Sequence, residues 1–373
     1  MKILHVINRL GAGGAQNLLL PLTKCLCEKG HEVTVLQLVR VSDDIISDKI
    51  QESGVKVITL REKGSLYNPT SIFKLARIIK LYDVVNVHLF PCFYYVAFAK
   101  IIGFCKTPLV YTEHSTYNKR MNKHFFRLID NFVYRVCYSR IIPCANKVKE
   151  VLASVYPKVK NVCTINNGID IGLYDNAEPY TSQELIGVAE DYFIITMVAR
   201  FAYPKRQDVI IRALSYLPNT FHAVFVGSEE HDQGLIEAKN LANDLGVGNR
   251  THFLFIRSDV PRILKSSNVI VISSEYEGLS LSLLEAMASS KPVIASDVQG
   301  LKEIVSGQGV LFRSGDDKQL SSILLRLQAD KALCRSIAKR CRECVSEYDI
   351  KNVAERYEKV YKDVVGYTHQ HED

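Results

Sequence analysis

Short apolar runs alternate with helical patterns along the whole chain, in a first series of seven and a second series of six. Such runs, separated by helices, are typical of parallel sheets, because helices cover a parallel strand on both faces. The first series is Ile3–Ile7, Val33–Leu38, Val55–Leu60, Val84–His88, Leu109–Thr112, Arg140–Pro143 and Val162–Ile165. The second is Phe193–Val198, His222–Val226, Thr251–Phe255, Val269–Ser273, Pro292–Ser296 and Val310–Phe312.

Two such series predict an α/β protein with two doubly wound, Rossmann-like domains. The segment Asp175–Asp191 is polar and contains Pro179, which indicates a linker. Apolar residues recur at helical spacing from Ile350 to Val365, which predicts an amphipathic helix. The predicted domains are therefore residues 1–178 and 179–349, followed by a helical segment at 350–373.

The composition is that of a globular protein: 47% of the 373 residues are apolar and 23% are charged. No apolar run reaches the length of a membrane span, and the first residues are too few and too polar for a signal peptide. We therefore expect a cytoplasmic protein. The ten cysteines lack the paired spacing of a zinc site and are expected to be reduced thiols.

Charge is divided unevenly along the chain. Residues 1–170 carry 24 Lys and Arg against 12 Asp and Glu, whereas the remaining residues carry 23 against 28. Only the basic first half is expected to meet an anionic surface, and no nucleic-acid partner is expected. The segment Lys119–Arg140 has basic residues on one face and apolar residues on another. Such a helix either lies on anionic lipid or packs in the core with a solvated basic face.

The candidate functional residues of the second half lie directly after two predicted strands. Glu277 lies on a turn after one strand, and Glu285 lies in the helix that follows. A helix N-terminus is a natural seat for phosphate, and carboxylates beside it accept hydrogen bonds from sugar hydroxyls. Arg200 and Lys205 follow another strand and could clamp a diphosphate, although basic residues on a loop are usually just solvated. No Asp-x-Asp occurs, so we expect cations rather than a metal to neutralise the diphosphate.

Candidate chemistry in the first half begins with the glycines at 11–14, which permit close backbone approach to a phosphate or sugar. A dinucleotide fingerprint is not supported, because Gln16 stands at the third glycine position and no acidic residue ends the second strand. His88 and His114 end the fourth and fifth strands. A histidine there could donate to a sugar hydroxyl or a leaving phosphate, and the alternative is a structural histidine.

Taken in order, these segments resemble family 4 of the glycosyltransferases, retaining enzymes with two facing Rossmann-like domains, the GT-B fold. The resemblance covers nearly the whole chain. The segments that carry it are Gly-Gly-Ala-Gln at 13–16, Asn-Gly-Ile-Asp at 167–170, Arg200, Lys205, Glu277-Gly278, Glu285-Ala286-Met287-Ala288 and Pro292-Val293-Ile294-Ala295-Ser296-Asp297.

The resemblance implies a cleft between the domains and a C-terminal helix that crosses back to the first domain. Arg200 and Lys205 would bind the diphosphate and stabilise the departing nucleotide. Glu277 would contact the donor sugar, Glu285 the ribose, and His114 the sugar near the reacting bond. The remaining implied donor-binding residues are Gly13, Gly14, Ile256, Arg257, Gly278, Leu279, Ser280 and Leu281, and Gln16 and His88 are expected on the acceptor side.

The implied function is retaining transfer of a hexose from a nucleotide sugar, with UDP favoured over GDP, to a lipid-linked or polysaccharide acceptor. No metal or other cofactor is expected, and the basic first domain would contact an anionic membrane surface. The chain departs from the family's usual residues at Ala199, Phe255 and Leu279-Ser280, where the family often has Gly, Gly and Phe-Gly. These departures leave the identity of the donor sugar and nucleotide undetermined. The alternatives are a sugar-nucleotide epimerase of related fold and a catalytically silent sugar-nucleotide-binding protein.

Overall fold

The computed structural model describes residues 1–11, 13–41, 45–115, 121, 123–189, 192–227, 231–278 and 280–369. The chain divides into two compact units. Unit 1 comprises Met1–Ile169 and the C-terminal segment from Ile350, and unit 2 comprises Asp170–Asp349. Each unit is built around one six-stranded parallel sheet, which confirms the predicted α/β class with two Rossmann-like domains.

Unit 1 has the strand order β3-β2-β1-β4-β5-β6. The strands are β1 (Lys2–Ile7), β2 (Glu32–Gln37), β3 (Lys56–Thr59), β4 (Val84–His88), β5 (Leu109–Glu113) and β6 (Arg140–Pro143). The helices that follow them are α1 (Gly14–Glu28), α2 (Ile45–Glu52), α3 (Thr70–Ile78), α4 (Cys92–Ile102), α5 (His124–Val136) and α6 (Asn146–Val155). The central strands are buried on both faces, as their continuous apolar runs predict.

Unit 2 has the strand order β12-β11-β10-β7-β8-β9. The strands are β7 (Phe193–Val198), β8 (Phe221–Val226), β9 (Thr251–Phe253), β10 (Val269–Ile272), β11 (Val293–Ser296) and β12 (Val310–Phe312). The helices are α7 (Ile171–Asp175), α8 (Ser182–Ile186), α9 (Gln207–Leu214), α10 (Gln233–Asp244), α11 (Val260–Ser266), α12 (Leu281–Ala288), α13 (Lys302–Val305), α14 (Asp317–Ala329) and α15 (Lys331–Val345).

The C-terminal helix α16 (Ile350–His369) belongs to unit 1, where it packs against α1 and β4. Its apolar stripe joins the core that α1 and α2 form on one face of the sheet. A separate core, formed with α3 to α6, covers the opposite face. The buried residues of the α16 stripe include Val353, Tyr357, Val360 and Val364.

Several sequence-based boundaries differ from the structure. Residues 162–165 form a single bridge, Val162 to Ile141, rather than a strand, although Cys163 and Ile165 still donate backbone hydrogen bonds to β6. The units divide after Ile169 rather than at 178/179, because α7 packs against α11 and α12 of unit 2. The predicted linker contains α8, whose first turn is closed by a capping box between Thr181 and Glu184.

Strand β9 ends at Phe253 instead of Phe255, because Phe255 adopts a left-handed backbone with φ of 54°. No helix in the described part of the chain is long and apolar enough to cross a membrane. All ten cysteines are free thiols in the structure, and six of them are buried, including Cys92 and Cys341.

Candidate functional site

The central strands of unit 2 place two candidate loops side by side. Strands β7 and β10 are neighbours at the point where the strand order reverses. In open parallel sheets, ligands bind outside the carboxyl ends of the strands at such a switch point. The loop from Ala199 to Arg206 follows β7, and the loop from Ser273 to Ser280 follows β10. Ser273 Oγ ties the two loops together, because it donates to the carbonyl oxygen of Arg206 at 2.8 Å.

Lys205 and Glu277 meet where these loops touch. The Lys205 ammonium donates to Glu277 Oε1 in a close ion pair, and Ser274 Oγ donates to the same oxygen at 2.8 Å. The two charged side chains are only 24% and 12% exposed. An ion pair of this kind is held in place before a ligand arrives, and it offers a cation for phosphate beside a carboxylate for hydroxyls.

Arg200 lies on the same loop with its side chain exposed. Its carbonyl oxygen accepts a hydrogen bond from the Gln207 amide at 2.8 Å, and the neighbouring Phe201 is buried against Phe225 and Phe253. The backbone is therefore fixed, while the guanidinium forms no ion pair with a described residue. Arg200 is thus a cation available to an anionic ligand.

The helix α12 begins directly after the Glu277 turn. Ser280 is its N-cap and accepts a hydrogen bond from the Leu283 amide, so Leu281 is the first helical residue. The helix is eight residues long, and its N-terminal N–H groups and dipole favour an anion. The predicted site residue Leu279 lies outside the described residues, whereas Gly278 is described and has open space around its Cα.

Glu285 lies one turn into α12 and is half-buried. It hydrogen-bonds the hydroxyl of Tyr174, which α7 supplies. Burial raises the pKa of Glu285 to about 7, because a carboxylate loses its hydration there, and the Tyr174 hydrogen bond only partly offsets this. The same burial raises the pKa of Tyr174 well above its ordinary value. Glu285 is thus a carboxyl group that titrates near neutral pH.

The loop after β9 carries the two residues predicted to lie beside the base. The side chain of Ile256 is exposed, as an apolar contact for a ligand would be. The Arg257 guanidinium is instead engaged by both oxygens of Asp259, at 2.8 and 2.6 Å. That ion pair lowers the pKa of Asp259 strongly and leaves Arg257 less available than Arg200.

In unit 1, the glycines at 13 and 14 form the start of α1. Gly13 is the N-cap, its backbone is extended, and its carbonyl oxygen accepts from the Asn17 amide at 2.9 Å. Gln16 folds back to donate to the Arg9 carbonyl oxygen at 3.2 Å, so its amide closes the loop. The structure therefore gives Gln16 a role in shaping the glycine loop.

A cavity of about 580 Å³ opens at the carboxyl ends of β1, β2 and β3. Three cationic residues, Arg9, Arg40 and Lys63, line it together with Glu62. The Nε atom of Arg9 is buried and has no hydrogen-bond partner among the described residues. A buried guanidinium donor without an acceptor suits an anionic ligand.

The two predicted histidines are joined by a third. His88 Nδ1 lies 3.1 Å from His114 Nε2, and His88 Nε2 lies 3.0 Å from His5 Nδ1. His5 and His88 are fully buried, and His114 is half-buried at the carboxyl end of β5. Burial lowers the pKa of His5 to about 3 and that of His114 to about 4, so both are neutral at pH 7.

Sequence reasoning missed three residues that shape these sites: His5, Tyr174 and Gly300. Gly300 has φ of 91°, and a Cβ there would overlap the carbonyl oxygen of Glu277, so the loop after β11 rests directly on the Glu277 turn. The signal for His5 was a polar residue inside an apolar strand next to the strand that ends in His88. No local pattern marks Tyr174 or Gly300, because both act through contacts distant in sequence.

The predicted site residues fall into two sets, one in each unit. Arg200, Lys205, Glu277 and Gly278 lie together at the switch point of unit 2, with Ser280, Leu281 and Glu285 on the helix that follows. Gly13, Gly14 and Gln16 follow β1 of unit 1, His88 is the last residue of β4, and His114 follows β5. Among the described residues, no group of three or more His, Cys, Asp or Glu side chains is arranged to hold a metal ion.

Comparison with known proteins identifies relatives along most of the chain. The model of "Glycosyltransferase Family 4" matches residues 12–173, and that of "Glycosyl transferases group 1" matches residues 182–344. The UDP-Gal:alpha-D-GlcNAc-diphosphoundecaprenol alpha-1,3-galactosyltransferase of Escherichia coli is 27% identical, with 86% of each chain covered. The N,N'-diacetylbacillosaminyl-diphospho-undecaprenol alpha-1,3-N-acetylgalactosaminyltransferase of Campylobacter jejuni is 24% identical, covering 93% of this chain and 95% of its own.

Solved structures show the same fold. The crystal structure of Anabaena Alr3699/HepE in complex with UDP superposes with a TM-score of 0.83 at 22% identity, covering 97% of this chain and 100% of that one. The structure of WaaG, a glycosyltransferase involved in lipopolysaccharide biosynthesis, superposes with a TM-score of 0.71 at 17% identity, covering 98% and 100%. At such identities the likeness establishes the GT-B fold and nothing finer.

Proposed function

This chain belongs to the family 4 glycosyltransferases and is a hexosyltransferase, and we propose that it transfers a hexose from a UDP-sugar to a lipid-linked acceptor with retention of anomeric configuration. The observation that carries the proposal is the cluster of Arg200, Lys205 and Glu277 at the switch point of unit 2, beside the N-terminus of α12. It offers cations for a diphosphate and a carboxylate for sugar hydroxyls.

The cations would stabilise the leaving group without a metal. Negative charge grows on the β-phosphate as its bond to the sugar breaks, and in this proposal the Lys205 ammonium and the exposed Arg200 guanidinium offset it. Calorimetry with UDP and GDP in EDTA tests this step. Binding in EDTA is expected, with UDP the tighter ligand, and binding that requires added magnesium or manganese would overturn it.

Retention is proposed to proceed by front-side displacement. The bond from C1 of the sugar to the phosphate oxygen breaks, the acceptor oxygen bonds C1 on the same face, and the acceptor proton passes to the β-phosphate. The two site carboxylates are already engaged, Glu277 by Lys205 and Glu285 by Tyr174, which argues against either as a nucleophile on the sugar. The anomeric coupling of the product, measured by NMR, distinguishes retention from inversion.

A lipid-linked acceptor is supported from two sides. Both relatives described above are named for sugars carried on diphosphoundecaprenol. In unit 1, the cavity lined by Arg9, Arg40 and Lys63 supplies cations suited to the diphosphate of such an acceptor. An assay with a panel of UDP-hexoses and a synthetic polyprenyl diphosphate sugar tests the activity. Hydrolysis or epimerisation of the donor without transfer would overturn it.

An exposed apolar surface supports approach to a membrane. Ten large apolar side chains are exposed in the described part of unit 1, and all lie in or near α3, α4 and α5, on one face of the sheet. Four of them form a stripe on α5, flanked by the exposed cations Lys123, Arg127 and Arg135. The stripe is Phe125, Leu128, Phe132 and Val136, which are 69%, 60%, 52% and 61% exposed.

This exposure favours the lipid interpretation of the segment over ordinary core packing, for which the stripe would be buried. The predicted basic residues Lys119 and Arg120 lie outside the described residues. Each large apolar side chain buried in lipid contributes roughly 1.5–3 kcal/mol, and each basic residue near anionic lipid about 1 kcal/mol. The two contributions together are sufficient for reversible attachment.

Co-sedimentation with phosphatidylglycerol vesicles tests this attachment. A Phe125→Ser/Leu128→Ser/Phe132→Ser variant is expected to lose most binding, and higher salt should weaken the binding of the unaltered protein. The matched control is Ile236→Ser/Leu325→Ser, which removes exposed apolar residues from unit 2 and should bind normally. Equal binding by both variants would contradict a membrane role for α5.

A further inference from the structure

Arg206 has a left-handed backbone, which is unusual for a residue that carries a side chain. It is the N-cap of α9, at the end of the loop after β7, with φ of 57° and ψ of 48°. This conformation brings the Cβ of an L-residue close to the following carbonyl oxygen, whereas glycine adopts it without strain. A residue other than glycine persists there only when the surrounding contacts hold it in place.

The guanidinium of Arg206 makes such contacts with more than one segment. Its Nε and Nη2 atoms donate to the two carboxylate oxygens of Asp208, in the first turn of α9, at 2.9 and 3.0 Å. Its Nη1 atom lies 3.6 Å from Glu275 Oε2, on the loop after β10. A Cβ at Gly315, on the loop after β12, would lie 3.9 Å from Nη1 and Nη2, so a third loop lies against the guanidinium.

Two neighbouring cations of one loop therefore pair with two carboxylates of one turn. Lys205 pairs with Glu277, and Arg206 pairs with Glu275, two residues earlier. The Glu275 amide also donates to the carbonyl oxygen of Pro204 at 2.8 Å, so a backbone hydrogen bond joins the two loops at the same place. The turn that carries Glu277 is thus tied to the loop that carries Lys205 at more than one point.

The spacing between Lys205 and Glu277 matters because the proposed function gives them different parts of one substrate. Lys205 would bind the diphosphate, and Glu277 would bind hydroxyls of the sugar. Misplacing a positioned group by about 1 Å can be costly in rate. An ion pair beside the two groups keeps their spacing fixed in the free protein, so the substrate does not have to order the turn when it binds.

We infer that Arg206 is a positioning residue, which holds the Glu277 turn against the Lys205 loop through its ion pair with Glu275. The inference rests on the proposed function, since it concerns the same donor site. Arg206 is expected to touch neither the diphosphate nor the sugar, because its guanidinium is already engaged by two carboxylates.

Hydrogen exchange in the free protein tests this contact without a substrate. Arg206→Gly removes the guanidinium but suits the left-handed backbone, so the variant should keep its stability in denaturant unfolding. The amides of residues 273–278 should exchange about fivefold faster, the effect of losing one partly exposed ion pair. Unchanged exchange in this segment would overturn the inference.

Arg212→Ala is the matched control for the exchange measurement. Arg212 also pairs with Asp208, at 4.0 Å, but it forms no ion pair with Glu275 in the described part of the chain. Its removal should leave the exchange of residues 273–278 unchanged. Equal acceleration in Arg212→Ala and Arg206→Gly would show that Asp208, and not the ion pair with Glu275, holds the turn, which would also overturn the inference.

Calorimetry with UDP and with the UDP-sugar separates positioning from direct contact. UDP lacks the sugar that Glu277 would bind, so Arg206→Gly should leave UDP affinity nearly unchanged and weaken UDP-sugar binding about fivefold. Arg212→Ala should change neither affinity. Equal losses for both ligands in Arg206→Gly would overturn the inference, because Arg206 would then act on the diphosphate itself.

A double-mutant cycle tests the ion pair from its other side. Glu275→Ala should reproduce the effect of Arg206→Gly on UDP-sugar binding, and the double variant should bind no more weakly than either single variant. Effects that multiply would overturn the inference, since the two residues would then act independently. If the unaltered protein bound neither UDP nor any UDP-sugar, the proposed function would fail, whereas the exchange measurement would still decide whether Arg206 holds the turn.

Discussion

The two units have the same strand order but different chemistry at the same position. Read from opposite ends, both sheets follow the order 3-2-1-4-5-6, so each has its switch point between its first and fourth strands. In unit 2 that position holds the ion pair of Lys205 and Glu277, with Arg200 on the same loop. In unit 1 it holds the neutral row of His5, His88 and His114.

The difference shows that topology decides where a site forms, whereas side chains decide what it binds. A charged cluster at the edge of unit 2 suits a diphosphate, which leaves with growing negative charge. The neutral histidine row suits uncharged hydroxyl groups, which are bound by directed hydrogen bonds rather than by a net electrostatic charge. Unit 1 carries cations elsewhere, among them Arg9, Arg40 and Lys63 in the cavity beside β1–β3 and Arg127 and Arg135 on α5.

The largest effect is expected from the cations of unit 2. Lys205→Ala and Arg200→Ala should each lower kcat about 100-fold or more, because each removes a group that we propose to stabilise the leaving diphosphate. Arg212→Ala is the matched control, since it removes an exposed cation from α9 of the same unit. Steady-state kinetics checks the comparison, and near-native turnover by both site variants would assign the leaving-group role elsewhere.

Gly300 offers a test of how the Glu277 turn is supported. A Cβ at 300 would overlap the carbonyl oxygens of Glu277 and Gly278, and the backbone is left-handed. Gly307→Ala is the control, because Gly307 has φ of 79° but open space around it. Gly307→Ala should lower the free energy of unfolding by about 1–2 kcal/mol, because it adds backbone strain. Gly300→Ala should lower the free energy of unfolding further and should also weaken donor binding. Denaturant unfolding and calorimetry measure both quantities, and equal behaviour would remove Gly300 from the site.

Glu285 should make donor binding depend on pH. Its pKa is raised to about 7 by burial, and the ionised carboxylate is a stronger acceptor than the protonated carboxyl group for the ribose hydroxyls that it is proposed to bind. The ionised fraction falls about tenfold from pH 8 to pH 6, so UDP affinity should fall by a similar factor. Because the folded state holds this proton more tightly than the unfolded chain, the free energy of unfolding from this group decreases as pH rises from about 4.5 to 7.

Glu285→Gln is the control for that titration. Its UDP affinity should be low at pH 8 and nearly independent of pH, because no carboxylate remains. Calorimetry at matched ionic strength compares the two proteins. A wild-type affinity that stayed flat across this range would separate Glu285 from the ribose.

The cavity in unit 1 should affect the acceptor alone. Arg9→Gln/Lys63→Gln removes two of the cations that line it and is expected to raise KM for a polyprenyl diphosphate acceptor about tenfold. KM for the donor should stay unchanged. A shift in donor KM of the same size would show that the cavity does not distinguish the two substrates.

The sequence predicted the sheets well because their strands are continuous apolar runs, and it placed Arg200, Lys205, Glu277 and Glu285 correctly after strands or in the following helix. It could not predict that Lys205 pairs with Glu277, since the two are distant in sequence. Tyr174 was assigned to the wrong side of the domain boundary, because its short helix α7 is recognisable only by its packing on α12. The hydrophobic pattern thus predicts where strands and helices lie, whereas contacts between loops can be identified only in the folded structure.

The smallest effect should come from Phe255, which is compared with Leu89 because both have left-handed backbones, one in each unit. Phe255 follows β9 with φ of 54°, and Leu89 follows β4 with φ of 62°. Phe255→Gly would relieve backbone strain but would remove a partly exposed ring and its contact with Lys239. The free energy of unfolding is therefore expected to change by no more than about 1 kcal/mol. Leu89 packs against the core that contains α16, so Leu89→Gly should be clearly destabilising.

The alanine variant at each position separates strain from packing. Alanine loses the side chain but keeps the cost of a left-handed backbone, so Phe255→Gly should be about 1 kcal/mol more stable than Phe255→Ala. The same difference is expected between Leu89→Gly and Leu89→Ala, although both would be less stable than the unaltered protein. Denaturant unfolding of the four variants measures these differences. If glycine and alanine were equivalent at 255 but not at 89, backbone strain would be assigned to Leu89 and not to Phe255.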